Sequence, residues 1–156
     1  MVAPLSGTYS FVDVQVALKA PSASFILSEN GIAEEGVRIA MTAEKGILTM
    51  GADGSGMHSM RAANNGRVTV NLLKMSPINA QMSTLYRYQR MSSANWGNIQ
   101  ITINNPVTGD NITCSLGAFV KQADVGYAVE GGFLIWEFNF IDVDEILGNG
   151  YAPTAL

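Results

Sequence analysis

Ile99, Ile101 and Ile103 alternate with Gln100, Thr102 and Asn104 in the stretch NIQITIN, and this period of two, recurring along the chain, does most to limit the possible folds. Successive side chains of a strand point to opposite faces, so such a stretch is a strand with one buried and one wetted face. Residues 8–18 repeat the pattern, with Val12, Val14, Val16 and Leu18 on one side and Asp13 and Gln15 on the other. Residues 36–43, 67–73, 112–120 and 132–142 read the same way. Turn chemistry falls between these stretches at Asn30-Gly31, Asp53-Gly54, Asn65-Gly66 and Pro106 to Asp110. Six or more strands with short connections predict a mainly β fold, an antiparallel β-sandwich or barrel, and exclude a βαβ arrangement.

One stretch breaks the pattern. Ser76 suits a helix cap and Pro77 the first helical position, where its missing N–H costs nothing. Ile78, Met82, Leu85 and Tyr86 follow at helical spacing, predicting one flanking amphipathic α-helix over roughly Pro77 to Met91. Its basic, aromatic end carries Arg87, Tyr88 and Arg90, expected at a rim where the helix meets solvent or a neighbouring subunit. A single short helix offers too few phosphate contacts to hold nucleic acid. Residues 44–66 read as a long loop between two strands, mixing glycines with Ile47, Leu48, Met50, Met57 and Met60. Long connections in compact domains usually carry function, and apolar residues on one suggest docking. Methionine adapts to such a contact.

Composition then narrows the function. Charged residues make up 14% of the 156, against about 25% in soluble domains. So few charges predict that other chains, copies of this one above all, cover much of the surface. The net charge of −4 argues against nucleic-acid binding, and beyond Lys121 the sequence has acidic residues and no basic ones. Cys114 and His58 are the single cysteine and histidine, so neither a disulfide within the chain nor a Cys or His metal cluster is expected. GADGSG lacks the ending of a phosphate loop and the terminal Glu of a calcium loop, and G-x-S-x-G fails around Ser55. No enzyme, cofactor or metal site is expected. Neither a leader nor an 18-residue apolar run is visible, so no membrane partner is expected, and the Asn111-Ile112-Thr113 sequon reads as accidental.

SFVDVQVAL, GRVTVNLLKMSPINAQMSTLY and GGFLIWEFNFIDVDEILG, in that order from about residue 8 to 149, resemble the tail tube proteins of contractile-tailed bacteriophages. The resemblance implies a single tail tube domain over 1–156, with short arms at about 1–7 and 149–156. It implies rings of six copies stacked into a tube, with tail sheath, baseplate and tail terminator proteins as further partners, in a virion assembled in the host cytoplasm. DNA would pass through without specific binding. On this reading Ile47, Leu48, Met50, Met57 and Met60 reach the adjacent ring. Gln100, Thr102, Asn104, Glu137 and Asn139, with Asp13 and Gln15, offer polar faces for the lumen. The strand LIWEFNF would escape aggregation by continuing into a neighbouring subunit. Inner-tube proteins of related contractile injection and type VI secretion systems are similar in fold and remain an alternative. So does a carbohydrate- or protein-binding β-sandwich, with Trp96 as its exposed ring and Trp136 in the core.

Overall fold

The computed structural model describes residues 4, 6–29 and 31–148. The expected arms at 149–156 and most of 1–7 lie outside the described residues, as does Asn30 of the first turn. Among the described residues nine strands and one α-helix run in the order β1 (Gln15–Ala20), β2 (Ala23–Ile26), β3 (Ile32–Met41), β4 (Gly46–Met50), β5 (Gly56–Met60), β6 (Gly66–Leu73), α1 (Ile78–Arg90), β7 (Ile99–Asn105), β8 (Asp110–Phe119) and β9 (Phe133–Ile146). Seven of them form one antiparallel sheet in the order β2-β1-β7-β8-β9-β6-β3, curled into a half-barrel, and β4 and β5 pair separately. Among the described residues the free edges are thus β2 and β3. These two strands are consecutive in the chain yet lie at opposite ends of the sheet, joined by residues 27–31 alone.

The alternation buries one face. Val16 and Leu18 of β1, Ile99, Ile101 and Ile103 of β7, Val68, Val70 and Leu72 of β6, and Trp136, Phe138 and Phe140 of β9 meet in a single core. α1 closes that core with Ile78, Met82 and Leu85. Ser76 accepts the Ile78 N–H at 3.3 Å, as its capping role requires. Trp136 donates its indole N–H to Asn79 Oδ1 at 3.1 Å, so its polar atom is satisfied while its rings are buried. The Phe119 ring meets Tyr86 edge-on at 5.4 Å and Phe138 at 4.7 Å, tying helix to sheet.

Four expectations need correction. Residues 8–18 are not one strand: Phe11–Asp13 form a 3-10 turn, because Ser10 Oγ captures the Val12 N–H at 3.3 Å. Val12 is therefore exposed, and Asp13 does not lie on the sheet. The segment 44–66 is not a loop but contains the β4–β5 hairpin. β2 is a strand that the alternation did not mark. Finally, LIWEFNF lies within β9, which pairs with β6 on one side and β8 on the other, so this strand is central and needs no neighbour to cover an edge.

The burial phase also shifts within β8. Cys114 and Gly117 are both buried although an odd number of residues apart, and Leu116 between them has φ +56°. The register against β7 slips there too. Gly117 faces Phe140, whose ring fills the space a side chain would need.

Candidate functional site

The face of the sheet opposite the core gathers the residues expected at a lumen. β7 turns Gln100, Thr102 and Asn104 outward, and β9 turns Glu137 and Asn139 the same way. Gln15 joins them opposite Asn104. The face is less uniform than the sequence suggested. Lys19 stands opposite Gln100, Arg38 opposite Thr69 and Arg67 opposite Asn139. Arg67 donates its Nε–H to Asn139 Oδ1 at 3.3 Å and lies 3.9 Å from Glu137 Oε2. An exposed pair of this kind contributes only about 0–1 kcal/mol to stability. Its larger effect is on the field, because Glu137 cancels the charge of an arginine beside it. Apolar Phe133, Ile135 and Ile141 also lie exposed along β9, a patch that the residues singled out for the lumen did not include.

The hairpin presents a different surface. The turn between β4 and β5 is held by Asp53, whose carboxylate accepts the Ser55 N–H at 3.0 Å, and by Gly54 at φ +90°. The same hydrogen bond lowers the Asp53 pKa. Pairing places Leu48 beside His58 and Met50 beside Gly56 on one side, with Ile47 beside Ser59 and Thr49 beside Met57 on the other. Both sides are apolar in part, and every strand residue is exposed. Ile47, Leu48, Met50, Met57 and Met60 are thus brought together on one uncovered element.

The end of α1 is the third surface. Tyr88 lines an open groove of about 450 Å³ between α1 and β2, with Ala23, Phe25, Ala80, Thr84 and Leu85 among its walls. Arg87 stands beside Thr84, three residues away on the helix. Arg90 is elsewhere, over the Tyr86 ring at 5.8 Å. The three residues expected to act together therefore separate into a groove wall, a groove rim and a ring contact. Trp96 is partly exposed and meets Tyr86 edge-on at 6.3 Å.

Little else carries chemistry. Cys114 is buried, and desolvation first, then Glu145 and Asp142, push its thiol up to about 12. It holds no thiolate near neutral pH. His58 is exposed on the hairpin. Among the described residues no group of three or more His, Cys, Asp or Glu is placed to hold a metal ion, and no helix is long and apolar enough to cross a membrane.

Comparison with known proteins agrees with the β architecture. The model of one protein family, described as bacteriophage PhiTE tail tube protein, matches residues 6–148. No curated protein sequence matches. A chain of the anti-feeding prophage baseplate, solved by cryo-EM and 6-fold symmetrised, is similar in fold at a TM-score of 0.53 and 18% identity, covering 94% of this chain and 97% of that one. A chain of the anti-feeding prophage tube terminating cap is similar at a TM-score of 0.54 and 9% identity, covering 95% and 96%.

Proposed function

Because this chain belongs to the bacteriophage PhiTE tail tube protein family, we propose that it is a structural subunit, one tube domain over 1–156, which closes into rings of six that stack into a tube conducting DNA during ejection. The observation that carries the ring is the unclosed sheet. Edges at β2 and β3 that are free among the described residues leave backbone donors and acceptors unpaired at the two ends of one curled sheet, and joining unlike edges from copy to copy satisfies both. The sixfold symmetry of the anti-feeding prophage baseplate supports the number six. The exposed apolar side chains and the low charge support wide coverage by neighbours: copies of itself, the sheath, the baseplate and the terminator. Assembly in the host cytoplasm and a place in the virion tail follow from the same reading. The work done is structural and no catalysis is needed for it. Negative-stain microscopy of the concentrated protein is expected to give rings or tubes of uniform width. Sedimentation showing monomer at every concentration, with or without a tail initiator complex, would exclude it.

The open face, with Gln100, Thr102, Asn104, Glu137 and Asn139, is the proposed channel wall. A conduit must not hold its cargo, and each free cation adds a phosphate contact that repeats along the tube. The Glu137–Arg67 pair meets this requirement for one cation of the face, whereas Lys19 and Arg38 on the same face are in no ion pair among the described residues. Gln100→Lys and Asn139→Lys are expected to leave tubes intact and slow DNA ejection, and high salt should relieve the delay. Equal ejection kinetics at low salt would remove these residues from the wall.

The two anti-feeding prophage neighbours favour a second reading, the inner tube of a related contractile injection system. Packaged DNA within purified assemblies distinguishes the two.

A further inference from the structure

We propose that the groove between β2 and α1 receives the β3 edge of a second copy of this chain, with Arg87 at its rim pairing with that copy's Glu34 and Glu35. This rests on the ring reading above and specifies its lateral contact.

The two free edges differ in charge. β3 carries an irregularity between Ile32 and Val37, where its register against β6 shifts. Gly36 holds that irregularity in shape: it has φ +61°, its carbonyl accepts Asn71 Nδ2–H at 3.1 Å, and the Phe11 ring backs it. Glu34 and Glu35 are exposed on this bulge. At the other edge, the groove walls are uncharged, and Arg87 follows Thr84 of those walls by three residues on the helix, while Lys19 of β1 stands opposite Ser24 of β2. Among the described residues the ion pairs are Arg67–Glu137 and Lys121–Asp124, and neither Arg87 nor the two glutamates takes part in one there. Arg87 also faces the carbonyl end of its own helix, an interaction of modest size that leaves its charge exposed.

This pattern selects the geometry of association. A twofold pairing of like edges would set Arg87 against Arg87, or the glutamate pair against itself, and both are repulsive. Joining unlike edges sets one against the other. A strand added to the free edge of β2 runs along the groove beside α1, the arrangement by which an edge strand and a helix together receive an extended segment. Ala23, Phe25 and Leu85 offer that strand an apolar floor, and Thr84 and Tyr88 a polar rim. The β4–β5 hairpin is a less directional surface: its exposed strands carry apolar side chains on both sides, and the Asp53 carboxylate of its turn accepts the Ser55 N–H.

Charge exchange tests the contact. Arg87→Glu is expected to raise the concentration needed for assembly by about tenfold or more, since one attraction becomes a like-charge contact. The pair Glu34→Arg with Glu35→Arg should do the same. All three substitutions together should restore assembly towards that of the unaltered protein. Sedimentation velocity reads assembly, and thermal unfolding establishes that each variant is folded. Arg87→Glu assembling at the unaltered concentration, or a folded triple variant failing to recover, overturns this contact while the ring reading stands. Unaltered protein that remains monomeric throughout overturns both.

Discussion

Replacing Ile47, Leu48 and Met50 with serine is expected to abolish stacking of the proposed rings and to leave the folded chain as stable as before, to within about 0.5 kcal/mol. The two halves of this expectation come from the same observation. All ten residues of β4 and β5 are exposed, and the strands' substantial contacts are with each other. Nothing in the core depends on them. A two-stranded hairpin alone in water is marginal, however, and this one spends its apolar side chains on solvent unless something covers them. Covering the three side chains contributes about 1.5–3 kcal/mol each, which serine forfeits at every copy in the ring. Unfolding curves of the variant should overlay those of the parent while micrographs show rings and no tubes. A collapsed melting curve would move these residues into the core, and normal tubes would show that the hairpin does not join rings.

Gly117→Ala should place the most damaging single methyl group in the core. A Cβ there would lie 2.3 Å from Cε1 and 2.4 Å from Cδ1 of Phe140, distances no relaxed structure tolerates. Phe140 is 2% exposed and contacts Phe138 ring to ring, so its own escape disturbs the neighbouring core. The expected cost is about 3 kcal/mol or more, a fall in Tm of roughly 6–12 °C for a domain of this size. Gly126→Ala, where nothing lies within 4 Å, should change Tm by little and serves as the control. Adding Phe140→Leu to Gly117→Ala should recover part of the loss. A Gly117→Ala protein that melts with its parent would mean that the β8–β9 pairing differs from the one described.

The strands were legible where one side of the alternation was apolar and the other was not. β6 and β7 met that condition, and the helix announced itself through Ser76 and Pro77. The hairpin did not, because Leu48 and Met50 face one way and Ile47 and Met57 the other. A period of two with no polar side carries no sign, although Asp53-Gly54 marked the turn. Val12 and Val14 had the same spacing as Val16 and Leu18, yet Ser10 diverts the backbone before the strand begins. Gln89 continues the buried stripe of α1 four residues beyond Leu85, a place hydropathy alone would not give it. The phase shift at Leu116 depends on a backbone conformation that its side chain disfavours, and no local signal predicts it. Surfaces were legible only as far as direction. That Gln100 and Asn139 point away from the core follows from alternation; that Asn139 and Glu137 flank Arg67 depends on strand pairing between residues about seventy positions apart.

The short link between β2 and β3 has a mechanical consequence. Laid flat, seven strands would separate the two outer strands by about 29 Å, six gaps of roughly 4.8 Å. From Ile26 to Ile32 the fully extended chain reaches only about 20 Å. Residues 27–31 therefore act as a bowstring: the sheet cannot be flattened while they are intact, whatever the side chains on its two faces prefer. Each subunit is a wedge whose angle is bounded by covalent length, so an array built edge to edge inherits its curvature from this strap before any contact between copies is made.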